Sequence, residues 1–406
     1  MVSVCVIGGG TAGEGAAFEA GVRGVDVTIV DGRAIQEPPW GSWPELISGP
    51  QGSGRVPEWR WGPSPRVINE AASAAGPGFV ALSSGGRVRF DLVIIATGSR
   101  FEPVAFLGAR KTGVFILDGP ERYAELGRTC ASLGRAVVTG EGYRGVEVAD
   151  RLGNRGTGVR LLISCWQCKP PSPVVLEVIE DAARESGAEI GRGGVSKVVG
   201  NDRVEAVVAS GSVIPCDALV VVPPRLPSPV RSAAKLGHAG AVEVDRWMRT
   251  SVPSIFAAGG CAELKGSAGG LGTLSAEPSH SGRIAGSNCA GSGHSIGGTR
   301  IDQLRAFGLR WWRIGRRAET SAPPANGAER VSRRWGPDCA CSITHEKSSE
   351  RVVEMESIQP STSSPSGLPP LDTGVTLESL ALGLGLSDIS PISETARLGL
   401  RDWPES

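Results

Sequence analysis

Three glycines in VIGGGTAG, Gly8, Gly10 and Gly13, stand at G-x-G-x-x-G spacing, and Asp31 closes the next apolar run, VDVTIVD. Each residue type suits one job. The first glycine makes a tight turn, the second lets the backbone approach a pyrophosphate, and the third lets a helix pack closely on a strand. An acid at the end of the second strand accepts hydrogen bonds from an adenosine ribose. The spacing recurs in VVTGEGYRGVEVA, with Gly140, Gly142 and Gly145. The strand that follows this second set ends in Ile163-Ser164, so no ribose-binding acid stands there. That absence fits an NADP site, a degraded nicotinamide site, or an acid supplied from elsewhere.

These groups work only if strands and helices hold them. SVCVI reads as a buried strand, and the small-residue run after the glycines reads as a helix. Residues 136–139 and 159–163 read as strands flanking a helix that starts near Tyr143. Residues 93–95 of DLVIIATGSR read as another buried strand, and after Ala96 the chain breaks out of its sheet at Thr97 and Gly98, the three being candidates for cofactor contact. The duplicated strand–turn–helix–strand unit predicts an α/β chain with two Rossmann-like dinucleotide-binding domains. Two such folds in one chain imply two nucleotides placed for electron transfer.

Composition narrows the function classes. The chain has 406 residues, enough for two or three domains, and its 42 Lys plus Arg equal its 42 Asp plus Glu. That balance provides no basic field for nucleic acid. No apolar run is long enough for a membrane span, and MVSVCVIGGG lacks the basic start of a signal peptide, so the expected compartment is cytoplasmic. Nine scattered cysteines do not form a secreted disulfide framework. Cys165 and Cys168 in CWQC, and Cys339 and Cys341 in CAC, lack a second pair at zinc spacing, so structural thiols or an occasional disulfide are expected and no metal site.

Taken in order, the motifs resemble those of the FAD-dependent pyridine nucleotide–disulfide oxidoreductases, on the branch of coenzyme A disulfide reductase and NADH oxidase. VIGGGTAG with Asp31 is similar to the FAD fingerprint, and DLVIIATGSR to the crossing segment. GEGYRGVE is similar to the nicotinamide fingerprint, and VDRWMRTSVPSIFAAGGCAE, containing Gly259 and Gly260, to the segment that returns to the flavin. The resemblance implies an FAD domain of residues 1–105 and 226–292, an NAD(P) domain of residues 106–225, and a C-terminal α+β dimerisation domain of residues 293–406. It implies FAD and NAD(P)H as cofactors, a homodimer, and a small-molecule electron acceptor. It also implies that Tyr143 lies over the flavin and moves when the nicotinamide enters, and that Glu147 lies near the flavin. The alternatives are an aromatic at a helix start and an exposed helix acid.

The chain departs from the family pattern in several places. Its return motif reads Ala257-Ala258-Gly259-Gly260, so the aspartate that holds the ribityl chain is replaced at Gly260. Pro223 and Pro224 stiffen the crossing back to the FAD domain. SDISPISET has Glu394 but neither the histidine nor the tyrosine of the C-terminal site, and His280 and His345 read as surface or capping residues. The Ser/Pro-rich residues 359–372 read as a loop.

EPPWGSWPELISGP (residues 37–50) occupies the place of the redox-active loop. It keeps Pro44 and Ile47-Ser48-Gly49, but the cysteine position falls at about Gly41. Trp40 and Trp43 either cover the flavin or pack the loop. Cys261 follows the return motif and reads as a buried structural thiol. The expected function is therefore electron transfer from a nicotinamide through FAD to a non-thiol acceptor such as oxygen or a quinone. The alternatives are a catalytically degenerate subunit and a sulfide–quinone type flavoprotein. The latter draws on the basic, aromatic FGLRWWRIGRR (residues 307–317), which otherwise reads as a strand.

Overall fold

The computed structural model describes residues 2–32, 46–47, 65–104, 106–166, 169–266, 278–296, 299–316, 328–334, 336–346 and 352–361. It divides into two compact units, one of residues 1–169 with 191–297 and one of residues 170–190 with 298–406.

The first unit is built on two parallel sheets. In one, Ser3–Ile7 lies between Asp26–Val30 and Leu92–Ile95, with Arg66–Ile68 at one edge and Ile255–Ala257 at the other. Val4, Cys5, Val6, Ile29, Val93, Ile94, Ile95 and Ile255 are fully buried, as expected of parallel strands covered on both faces. The helix Thr11–Val22 crosses over this sheet and packs on the helix Pro278–Cys289. At two of its glycines the second helix meets the backbone of the first. A Cβ on Gly282 or Gly286 would collide with the carbonyls of Ala12 and Ala16. The small-residue composition of both helices therefore sets how closely they approach.

The second parallel sheet places Arg135–Glu141 between Gly158–Cys165 and Ala218–Val222, with Val114–Ile116 beyond. The helix Gly142–Gly153 follows its central strand directly and buries Val146, Val148, Ala149 and Leu152. The two expected strand–turn–helix–strand units are therefore both present, and the chain has the mixed α/β, Rossmann-like fold that its motifs predict. The unit also carries two small sheets with antiparallel pairing, Ala72–Gly76 with Phe79–Leu82 and Arg87–Arg89, and Val195–Val199 with Ala206–Ala209 and Ser212–Pro215.

The second unit is a five-stranded antiparallel sheet in the order Thr299–Ala306, Leu309–Arg316, Val352–Pro360, Ala340–Glu346, Ala328–Arg334, with the helix Pro173–Glu185 packed on it. FGLRWWRIGRR supplies its Leu309–Arg316 strand, in which Trp311 and Trp312 are buried. Gln359 and Pro360 end the last described strand, and the rest of residues 359–372 beyond Ser361, like Glu394, lies outside the described residues.

Candidate functional site

At the carboxyl end of the first sheet, the chain leaves Ile7 and turns at Gly8, whose φ is 104°. That left-handed conformation favours glycine, and a Cβ there would also meet the Ala96 carbonyl. A Cβ on Gly13 would fall on the Gly8 carbonyl oxygen, so the turn and the first helical turn are in backbone contact. Gly10 differs: nothing lies within 4 Å of the Cβ position. It caps the helix Thr11–Val22 without any side-chain hydrogen bond to that helix end. The Gly9 N–H donates to Asp31 Oδ2 at 2.6 Å, which ties the turn to the end of the second strand.

Two further predicted segments come to the same sheet edge. Ala96 donates its N–H to the Ile7 carbonyl (2.8 Å), and Ala258 donates to the Ile95 carbonyl (2.9 Å). Thr97 Oγ1 donates to the Ser228 carbonyl at 2.7 Å. Gly98 and Gly259 take positive φ values of 70° and 73°. The Gly259 N–H donates to Ser281 Oγ at 3.1 Å, which pins the return motif to the helix Pro278–Cys289. A Cβ on Gly260 would sit 3.1 Å from Ser99 Oγ, tight but facing a hydroxyl that can rotate. Gly8, Gly10, Gly13, Asp31, Ala96, Thr97, Gly98, Gly259 and Gly260 therefore line one edge. His280 is exposed in the first turn of the neighbouring helix.

The second glycine set has the same backbone frame. Gly140 has a φ of 131°, and its Cβ position is taken by the Val222 carbonyl. A Cβ on Gly145 would lie 2.9 Å from Leu161 Cδ1. The space at the middle glycine is filled, however, because a Cβ on Gly142 would clash with the Trp166 ring, 2.6 Å from its Cδ2. Glu141, buried at 6% exposure, caps the helix: its carboxylate accepts the N–H groups of Tyr143 (3.2 Å) and Arg144 (2.9 Å). Tyr143 stacks edge-on to Trp166 with ring centroids 4.9 Å apart, and its hydroxyl donates to the Lys169 carbonyl at 2.5 Å. Glu147 is half-buried and pairs with Arg144 at 2.6 Å. Burial raises its pKa, and the Arg144 guanidinium opposes that rise.

Sequence reading missed Glu141 and Trp166. An acid just before a helix start is a local capping signal for Glu141. Trp166 had none, because it comes from the end of the adjacent strand.

Among the described thiols, Cys5, Cys130, Cys216, Cys261 and Cys289 are buried, and Cys165 and Cys339 are half-buried. Cys261 is fully buried and its S–H donates to the carbonyls of Ile95 and Ala258 (3.3 Å each). Burial pushes the Cys5 thiol up to about 12 and, with the Asp217 charge, the Cys216 thiol up to about 11. Burial, then the Glu141 carboxylate, raises Cys165 as well. Thiolate is the reactive form, so native protein at neutral pH is expected to leave Cys5, Cys216 and Cys261 unlabelled by iodoacetamide, read by peptide mass spectrometry. Rapid native labelling of Cys261 would sink its structural assignment. Cys168, Gly41, Trp40, Trp43, Pro44, Ser48 and Gly49, and the side chains of Cys341 and His345, lie outside the described residues. Ile47 is fully buried, with its backbone against Gly127. Among the described residues no group of three or more candidate ligands could hold a metal ion, and no helix is long and apolar enough to cross a membrane.

Two parallel sheets, each ending in a glycine cradle at a helix N-terminus, define a two-nucleotide oxidoreductase fold. The chain belongs to the pyridine nucleotide-disulphide oxidoreductase family, whose pattern matches residues 2–280 and whose members are FAD-dependent and use NAD(P)H. It is 28% identical over 215 residues to an NADH oxidase of Methanocaldococcus jannaschii, covering 50% of this chain and 48% of that protein. Its fold is similar to that of an NAD-dependent persulfide reductase from A. fulgidus, with a TM-score of 0.72 and 22% identity, covering 88% of this chain and 74% of the other. It is also similar to the ferredoxin reductase for the CYP199A2 system of Rhodopseudomonas palustris, with a TM-score of 0.73 and 18% identity, covering 88% and 91% of the two chains. The chain spans about half the length of the curated relatives it matches.

The residues present fit the two cofactors differently. The open space at Gly10, before a helix end with no side-chain cap, suits the FAD pyrophosphate. The cradle at Gly142 does not fit a dinucleotide as it stands, because Trp166 and Glu141 fill it.

Proposed function

We propose that this chain is an FAD-dependent oxidoreductase that takes electrons from NAD(P)H and passes them to a small acceptor that is neither thiol nor disulfide, such as oxygen or a quinone. The observation that carries this reading is the open first cradle. Gly10 leaves room at a helix N-terminus that has no side-chain cap, and Asp31 stands at the neighbouring strand end. In this reading Gly8, Gly10, Gly13 and Asp31 hold the dinucleotide part of FAD, and Ala96, Thr97, Gly98, Gly259 and Gly260 form the floor beneath it. Bound flavin supplies the two-electron chemistry. The protein's part is orientation: the pinned Gly259 and the Gly9–Asp31 hydrogen bond keep the edge from shifting.

The non-thiol acceptor follows from the cysteines. Between Cys5 and Cys130 the sequence has none, and Cys261 is spent on two carbonyls. Residues 1–105 with 226–292 would form the FAD domain, 106–225 the nicotinamide domain, and 293–406 the surface on which two chains pair. Gly140, Gly142 and Gly145 would frame the nicotinamide site, with Tyr143 and Glu147 facing the flavin. The relatives include proteins named NADH oxidase, probable ferredoxin reductase and putidaredoxin reductase, names that span different acceptors. A second reading, a member that keeps flavin but has lost nicotinamide turnover, draws on the side chains in the Gly142 cradle.

The test is an anaerobic titration of the purified, FAD-reconstituted protein with NADH and with NADPH. The flavin absorbance should bleach with at least one and return on adding oxygen or a quinone, but not on adding a disulfide. Protein that stays colourless after reconstitution overturns the reading. The altered return motif gives a further expected outcome. Gly260→Asp restores a charged acceptor, a contribution of about 1.5–3 kcal/mol, so FAD should bind about tenfold to a hundredfold more tightly in a fluorescence-quenching titration. An unchanged dissociation constant would show that Gly260 does not face the flavin.

A further inference from the structure

The two cradles share a backbone frame but differ in what stands at the helix start. At Thr11–Val22 no side chain caps the helix. At Gly142–Gly153 a buried carboxylate does, on the two N–H groups that a pyrophosphate would use. Resting on the reading that this second cradle takes the nicotinamide, we propose that Glu141 and Trp166 are the residues that set its affinity. They act as an internal occupant that a dinucleotide must displace.

First, the anion site is filled: the Glu141 carboxylate already accepts from Tyr143 and Arg144, and it is 6% exposed. Second, a displaced carboxylate stays on the same short turn, where it repels a pyrophosphate that shares the helix dipole. Third, the approach to the backbone is filled. The middle glycine of the fingerprint makes room for a pyrophosphate, and here the Trp166 ring takes that room. Trp166 is held in turn by Tyr143, edge-on at 4.9 Å, with the Tyr143 hydroxyl anchored on the Lys169 carbonyl. The strand ends bring these residues together, since Glu141 pairs with Cys165, the neighbour of Trp166, at the last register position of the parallel pair. The same residues give the nicotinamide a route in: displacing Trp166 also frees Tyr143.

The experiment is calorimetric titration of FAD-loaded full chain with NAD+ and with NADP+, neither of which reduces oxidised flavin. Four proteins are compared: wild type, Glu141→Gly, Glu141→Gln and Glu141→Gly with Trp166→Ala. Glycine is itself a favoured N-cap, so the first variant is expected to melt at the wild-type temperature. Glu141→Gly should bind at least one nucleotide about tenfold or more tightly, because two charge-assisted hydrogen bonds become available to the pyrophosphate. Glu141→Gln should fall between it and wild type, and the double variant should bind tightest. Equal affinities for wild type and all variants, or no measurable binding by any, overturn the inference. Flavin bleaching by NADH, measured separately, keeps the functional reading distinct. Tighter NAD+ binding without any bleaching supports the inference and sinks that reading, and full bleaching with equal affinities does the reverse.

Discussion

Gly13→Ala is expected to strip the protein of flavin. The added methyl would fall on the Gly8 carbonyl, which is backbone and cannot rotate away. The helix Thr11–Val22 must therefore lift off the turn. Overpacking of this kind costs about 1–3 kcal/mol. The displaced turn also carries Gly9 off Asp31 and Gly10 off the helix axis, so the positioning of the cradle is lost along with the stability. The check is the ratio of flavin to protein absorbance after purification, with a circular-dichroism melt. Gly10→Ala is the informative partner. Its Cβ meets nothing within 4 Å, and its backbone is extended, with φ −79° and ψ −175°. That variant should melt like wild type yet hold flavin less tightly, because the methyl enters the space kept for the pyrophosphate. Wild-type flavin content in both variants would remove the first cradle as the FAD site.

Arg313→Met is expected to destabilise the C-terminal sheet by about 3–5 kcal/mol, the usual result of leaving buried charge without its partner. The Arg313 side chain is 4% exposed. Its Nη2 donates to Asp302 Oδ2 at 2.9 Å, and its Nη1 to the Pro170 carbonyl at 3.0 Å and to Glu356 Oε1 at 3.4 Å. Glu354 lies 4.0 Å away. Glu356 is 1% exposed and also accepts the Ser172 N–H at 2.7 Å. One guanidinium thus joins three strands of the sheet to the segment that leads into the helix Pro173–Glu185. Methionine replaces the volume but leaves three carboxylates together. Urea unfolding read by tryptophan fluorescence measures the loss, with Trp311 and Trp312 in the same strand as reporters. Adding Glu356→Gln should recover part of it, because the two residues are coupled. A loss under about 1 kcal/mol would place this arginine with surface ion pairs instead.

Much of the first cradle was legible in the amino-acid order. Gly8, Gly10, Gly13 and Asp31 lie on consecutive elements of one strand–turn–helix–strand unit, where local spacing dictates position. The positive φ at Gly8 and the backbone contact at Gly13 follow from the same spacing. The frame of the second cradle was legible for the same reason, and so was the missing acid, since Gly158–Cys165 ends without one. The redox-loop reading at Gly41 rests instead on the family resemblance, and Gly41, Pro44, Ser48 and Gly49 lie outside the described residues.

What fills the second cradle was legible only in part. Glu141 stands just before a helix start, a local capping signal, and the structure turns two N–H groups onto its carboxylate. Trp166 is distant in the chain and reaches Gly142 only because Arg135–Glu141 and Gly158–Cys165 pair in parallel and end side by side. The Arg313 cluster is of the same kind, drawing on residues from 170 to 356. Spacing along the chain determines turns, caps and helix faces, because those depend on neighbours a few bonds away. Whether a cradle is open or closed depends on which side chain the sheet brings across from another strand, and only the tertiary structure decides that.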